Sequence, residues 1–330
     1  MSRFEIRDFR DSDFEADSRI ASHLHPGFPV TAEEIRHWDG AIAGEGIHKH
    51  RLAVEERDSA TVVATGLLFN PPWEFDPDAY WMSIEVDPSR QGQGIGRSLF
   101  RVLEDEAISR AGRCLWATVL ADQPRSVRFF GRAGFTERRR TWTSVLGLTQ
   151  EAPAPAPADP TDRRLDRIEF TSVAREGPED AGVRARLHRL DNEAGRDTPR
   201  LGPSTELSRE QFDDLVFRGP GYFPEGILLA KSDGEYVAYT YLIKRPSNPD
   251  TLHVGFTGTL RAFRGRGIAT ELKRQAAELA RSMGYRFLRT NNDSQNPAIW
   301  AINEKLGFRQ VETWIEGEKG LPPAGDGGIK

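Results

Sequence analysis

Cysteine is almost missing from this 330-residue chain, where Cys114 stands alone. One thiol excludes an intrachain disulfide and any zinc site built on cysteines. Lysine is scarce too, with seven against 38 arginines; that bias reads as genome composition or heat adaptation and carries no functional weight. No apolar run approaches the roughly 18 residues of a membrane span, so a soluble, cytoplasmic protein with no membrane partner is the simplest expectation. The opening stretch, MSRFEIRDFRDSDFEADS, is charged and lacks the apolar segment of a signal peptide. Positive charge is not in excess either. The formal net charge of −5 argues against a nucleic-acid partner.

What the chain has is length for two domains and a composition break near its middle. Residues Glu151 to Arg164, EAPAPAPADPTDRR, alternate proline and alanine, which cannot pack a core and read as a semi-stiff linker. The expected domains are therefore 1–150 and 165–330, joined by 151–164. The two halves look alike. RQGQGIGRSLF (Arg90 to Phe100) is answered by FRGRGIATELK (Phe263 to Lys273). Gly94 and Gly267, Ile95 and Ile268, Leu99 and Leu272, Gly134 and Gly307, and Phe135 and Phe308 share a single offset of 173 positions. One register held across a loop, a helix and a distant Gly-Phe marks a diverged internal duplication.

Each half predicts the same order: strand, glycine loop, helix, strand, short helix, Gly-Phe, strand. The strands are Trp81 to Val86 and Leu252 to Leu260 before the loops, then Cys114 to Leu120 and Arg286 to Thr290. Leu272, Ala276, Leu279, Ala280 and Met283 fall on one helix face, and Gly112 and Gly284 supply the helix stops. Pro124 and Pro297 open the short helices. The fold class is α/β, with helices against a sheet in each half.

The loops Gln91-Gly92-Gln93-Gly94-Ile95-Gly96 and Arg264-Gly265-Arg266-Gly267-Ile268-Ala269 each join a strand to a helix. A helix start carries unpaired N–H groups and partial positive charge, and glycine lets the backbone approach a ligand, so the expected product is an anion cradle suited to a diphosphate. Three readings compete. A dinucleotide site requires G-x-G-x-x-G and an acidic residue on the next strand, and a P-loop requires a terminal Gly-Lys-Ser/Thr; neither copy complies. A plain turn is the third, and two copies in register with a downstream Gly-Phe weigh against it.

With these motifs the chain resembles the GNAT acetyltransferase superfamily, whose Gln/Arg-x-x-Gly-x-Gly/Ala signature is matched by Gln91, Gly94 and Gly96 and by Arg264, Gly267 and Ala269. The resemblance covers almost the whole chain as two tandem GNAT-like domains. It implies that each is a mixed, mostly antiparallel sheet with a splayed central strand pair and flanking helices. It also implies acetyl-CoA or a related acyl-CoA as donor, no metal, and transfer of the acyl group, in the first place acetyl, to a primary amine of a small molecule or peptide by direct attack. The loop would hold the CoA diphosphate, and Val86, Thr257 and Thr259 would line the gap that takes the pantetheine. Asn292 and Asn296 match asparagines that the family uses beside the pantetheine, although Asn296 before Pro297 serves equally as a helix cap.

The chain departs from the family where a tyrosine commonly acts as acid. Phe130 stands there in the first half and Asn303 in the second. A base is also needed. Counting back eleven residues from Arg264 gives His253, with a suitable intrinsic pKa; from Gln91 it gives Tyr80. Glu85 neighbours Val86 on the opposite strand face and could point to solvent. Because the second half keeps Arg264, Asn292 and Asn296, it is expected to be the catalytic one. A non-catalytic CoA-binding module is the rival, and a hydroxyl acceptor a third option. After each Gly-Phe there is room for one strand where the family has a hairpin, which a terminal strand exchanged between the halves would resolve. Elsewhere, His48-Lys49-His50 suggests a metal only weakly, Cys114 reads as core, Arg138 to Arg140 as a solvated stretch, and Thr31 with Glu34 as a capping box. Glu33, Glu34 and Asp39 are either attractants for an amine or idle surface acids. Monomer and homodimer both remain open.

Overall fold

The computed structural model describes residues 3–44, 46–148 and 165–323; the Pro/Ala stretch 151–164 lies outside them. The chain divides into two compact units. The first contains β1 (Phe4–Asp8), α1 (Phe14–Leu24), α2 (Ala32–Ala41), β2 (Lys49–Glu56), β3 (Thr61–Phe69), β4 (Ala79–Val86), α3 (Ile95–Ser109), β5 (Cys114–Leu120) and α4 (Pro124–Arg132). The next strand, β6 (Thr136–Gly147), leaves it: from Arg140 the chain belongs to the second unit. That unit contains β7 (Ile168–Ser172), the short α5 (Val173–Glu176), α6 (Ala181–Gly195), α7 (Arg209–Val216), β8 (Ile227–Ser232), β9 (Glu235–Lys244), β10 (Thr251–Thr259), α8 (Ile268–Ser282), β11 (Phe287–Asp293) and α9 (Pro297–Lys305). The last strand, β12 (Arg309–Gly320), returns to the first unit from Trp314 onward.

The terminal strands are thus exchanged. Trp314 to Gly320 pairs antiparallel with β5, and Thr141 to Gly147 pairs antiparallel with β11. Each unit closes its sheet with a strand drawn from the other half of the sequence. In the first unit the strands run β1-β2-β3-β4-β5-β12, and in the second β6-β11-β10-β9-β8-β7. One parallel pair stands in each, β4 with β5 and β10 with β11; every other register described is antiparallel.

Helices cover both faces of each sheet. Leu99 and Leu103 of α3 lie over Gly66, where a Cβ would approach Leu103 to 3.1 Å, and they join Leu52, Val54 and Leu68 in one core. On the other face Ile20 of α1 packs on Ala53 and Val62. In the second unit Leu272, Ala276 and Ala280 of α8 pack on Leu252, Val254 and Leu288, while Leu187, Leu190 and Phe212 face Leu229 and Tyr239. Met283, placed by the periodicity on the buried face, is 40% exposed because α8 ends at Ser282. Gly284 makes the expected left-handed stop. Gly112 does not: Ala111 takes the positive φ, and Gly112 is required because a Cβ there would meet the Ala107 carbonyl at 2.7 Å and the Tyr80 ring at 3.0 Å. Among the described residues no helix is long and apolar enough to cross a membrane.

Candidate active site

The site in the first unit begins where two strands part. β4 pairs with β5 only from Ala79 to Trp81, opposite Cys114 to Trp116. Beyond Trp81, Met82 to Val86 keep β3 on one edge, while β5 diverges on the other. In an antiparallel pair alternate N–H and C=O groups point away from the partner, so that edge of β4 presents backbone donors to the gap. The gap widens into a cleft of about 1080 Å³, walled by both strands, the glycine loop, α3 and α4. Trp314 and Lys319 of the exchanged strand also line it. β10 and β11 part in the same way after His253 and Arg289.

The two loops share their backbone conformation at the glycines. Gly92 and Gly265 take φ of +82° and +74°, and Gly94 and Gly267 take +86° and +85°. These are conformations that side chains resist. A Cβ added at any of the four meets no protein atom within 4 Å, so backbone geometry and space over the loop, not packing, demand glycine. Gln91 Nε2 donates to the Val86 carbonyl at 3.2 Å, and Arg264 Nε donates to the Thr259 carbonyl at 3.0 Å, tying each loop to the end of its strand. Ile95 and Ile268 anchor the helix starts in the cores. The expected loop residues Gln91, Gly92, Gly94, Ile95 and Gly96, with Val86, all border the cleft. At Gly96 a Cβ would sit 3.7 Å from Val86 Cγ2, which explains why alanine serves at 269.

One carboxylate faces this cleft from β4. Glu85 lies opposite Thr65, on the sheet face covered by α1. The Thr65 hydroxyl donates to Asp17 of α1 at 2.6 Å, and Arg51 pairs with Asp17 and Asp39. Burial, and secondarily the Asp17 charge, push the Glu85 carboxyl up to about 7. Strand alternation turns Glu85 away from the α3 core, as the sequence indicates, and leaves it partly exposed in the wall of the cleft.

In the second unit the position equivalent to Glu85 is Gly258, with Thr257 opposite Thr240 as Ile84 is opposite Gly66. A Cβ at Gly258 would meet the Phe256 ring at 2.5 Å and Ala194 Cβ at 2.8 Å. That space is filled by apolar atoms. The Thr257 hydroxyl bonds the Thr240 hydroxyl at 2.8 Å. Arg264 pairs with Asp197, which Arg261 also holds, and Arg266 donates to the Asp166 carbonyl. The positive charge expected at this loop is therefore partly spent on the protein itself.

His253 sits one position away from where the count along the strand sets it. A bulge at Gly255 inserts one residue into β10, so counting back from the loop falls one position short; the parallel pairing sets His253 opposite Arg289, as Trp81 is opposite Trp116. It lies at the closed end of the strand pair, and burial, with Arg245 and Arg289 nearby, pushes its pKa to about 3. Asn303 is fully buried, and its amide donates to Asn292 Oδ1 at 2.5 Å, while Asn292 donates to Ser144 Oγ at 2.7 Å. This chain locks α9 to β11 and β6. Asn296 caps α9 by accepting from Ile299 N at 3.3 Å.

The remaining candidates sort as follows. Thr31 and Glu34 form the capping box. Cys114 is buried core. Arg138 and Arg139 pair with Glu318 and Glu316. His48 and His50 both contact Glu106 of α3, a carboxylate partner invisible to sequence spacing. Asp39 holds Lys49 and Arg51 and so is no idle surface acid.

Comparison with known proteins agrees with this architecture. The profile of the acetyltransferase (GNAT) family matches residues 8–135 and again 187–308. A mycothiol acetyltransferase of Corynebacterium glutamicum is 25% identical over 72% of this chain and 74% of its own length. Two solved structures share the fold across nearly the whole chain. One is a tandem GNAT protein from the clavulanic acid biosynthesis pathway, with TM-score 0.73 and 18% identity over 97% of this chain and 99% of that one. The other is a GCN5-related N-acetyltransferase from Sphaerobacter thermophilus, with TM-score 0.70 and 19% identity over 98% of each. A duplicated splayed sheet, two matching glycine loops and a twofold profile match lead to one conclusion: the chain belongs to the GNAT acetyltransferase family, as two tandem domains.

Proposed function

We propose that the chain is an N-acetyltransferase that moves an acetyl group from acetyl-CoA to a primary amine by direct attack, and that the first unit carries the chemistry. The observation that carries this reading is Glu85, a carboxylate poised near neutrality in the wall of a splayed, glycine-looped cleft. The fit to the donor rests on the four left-handed glycines with clear space above them and on a cleft ample for a cofactor arm. Acetyl-CoA supplies a thioester carbonyl and a thiol leaving group. The amides of Gly92 to Gly96 and the start of α3 would hold the diphosphate, and the free edge of Met82 to Val86 would pair with the arm and support charge on the carbonyl oxygen. Glu85 would take the proton that the attacking ammonium must lose. Phe130 has no proton to give, and a thiol of pKa about 8.5 departs as thiolate without one. Positioning and dipole support, with no covalent nucleophile, carry the rate.

The second unit reads as a non-catalytic companion, because Gly258 and Phe256 occupy the place of the base. This reverses the expectation that the second half is catalytic. The acceptor is a cytoplasmic small-molecule or peptide amine under this reading. The test is release of free thiol from acetyl-CoA against an amine panel. Wild type should release it with at least one amine, and Glu85→Gln should lose about 100-fold or more. A Glu85→Gln enzyme with undiminished turnover, or no release with any amine despite tight donor binding, would sink the assignment.

A further inference from the structure

Five arginines line the mouth of the first unit's cleft: Arg97 and Arg101, one turn apart on α3, and Arg125, Arg128 and Arg132 on α4. All five are exposed. Among the described residues none has an ion-pair or hydrogen-bond partner, in a chain where arginine is otherwise routinely matched with a carboxylate. Glu104, which lines the cleft from α3 itself, is held by Lys319. A cationic rim of this kind repels itself, and a net charge of −5 makes it no accident of overall composition.

The duplication supplies an internal control. At the equivalent positions of the second unit stand Thr270, Arg274, Ala298, Ala301 and Lys305. The one arginine left, Arg274, is consumed by Glu271 and Glu278. Loop geometry is the same in both copies, so the rim is an addition to one cleft and not a requirement of the fold.

Resting on the reading that this cleft takes CoA, we propose that the arginine rim is a second anion site of the first unit, which recognises the 3′-phosphate on the nucleotide end of the donor and selects it over donors without that phosphate. The loop amides satisfy the diphosphate and leave the guanidinium groups unspent. Arginine matches phosphate oxygens in a two-pronged fashion, and exposed charges act over about a Debye length, roughly 8–10 Å.

Calorimetric titration with CoA and with dephospho-CoA tests this without turnover. Wild type should bind CoA at least about tenfold tighter, a preference that shrinks with added salt. The variant Arg97→Gln/Arg101→Gln/Arg125→Gln/Arg128→Gln should bind the two alike, with its affinity for dephospho-CoA within about twofold of wild type. Because these side chains hold no protein partner, the variant should keep its melting temperature; if it fails to fold, the wild-type ratio alone decides. Equal wild-type affinities for the two ligands overturn the rim proposal and leave the transferase reading standing. Binding of neither overturns both.

Discussion

Glu85 and Lys273 show how much a single burial decides. Glu85 has its folded pKa raised to about 7 from an ordinary value near 4.5. As pH rises from about 4.5 to 7 the unfolded chain loses a proton that the folded protein keeps, so this residue costs stability across that window. Activity runs the other way, because only the carboxylate accepts a proton. The value of kcat/KM should climb with pH to a plateau above about 7, and a profile without that limb would remove Glu85 as base. Lys273 on α8 is fully buried, with the Phe308 ring 5.7 Å from its Nζ, and burial lowers its pKa to about 7. Its folded pKa is depressed, so stability is greatest above the unfolded pKa near 10.5 and is lost as pH falls toward 7. Lys273→Met keeps the volume and drops the charge. It should raise the melting temperature at pH 7, by an amount worth a few kcal/mol, and flatten the dependence of stability on pH between 7 and 10; calorimetric melts at several pH values check both.

Among the elements, β12 brings residues from the far end of the chain to the site. It closes the first unit's sheet against β5 and brings Trp314 and Lys319 into the cleft. Its passage depends on Gly317, where a Cβ would meet the Phe130 ring at 2.4 Å and the Thr136 carbonyl at 2.6 Å. Gly317→Ala should therefore cost about 1–3 kcal/mol, read as a lower denaturation midpoint, with faster amide exchange along Cys114 to Leu120. An unchanged midpoint would show that β12 can shift without cost. A fragment of residues 1–150 should show the same loss of protection in β5, because its edge partner then lies outside the fragment. Protection equal to that of the full chain would refute the exchange.

At the scale of the whole chain, duplication has produced two units with one backbone plan and different side chains beside the loops. The loops differ by only a few degrees in φ, yet the carboxylate, the cleft and the arginine rim are described in the first unit. A matched pair of variants separates the roles. Gly94→Val and Gly267→Val impose the same left-handed strain, about 1–2 kcal/mol each, so similar stability losses are expected from both. Turnover should fall at least about tenfold with Gly94→Val and by less than about threefold with Gly267→Val. Equal losses of turnover would return the chemistry to both units.

Amino-acid order alone carried the duplication, the strand–loop–helix plan, the turning points at proline and glycine, and the family resemblance, because these depend on local conformational preference and on spacing within one element. It placed Glu85 on the correct strand face but could not say what covered that face, since Asp17 and Arg51 come from 68 and 34 positions away. A count along the strand set His253 one position off because one bulged residue intervenes, and the second half was favoured on Arg264, Asn292 and Asn296, of which Asn292 is hydrogen-bonded to Asn303 and Ser144 and Asn296 caps α9. The exchanged strand, the closed space at Gly258 and the unpartnered arginines are long-range facts. Burial, charge pairing and access to a cleft depend on which distant segments meet, and only the tertiary structure decides that.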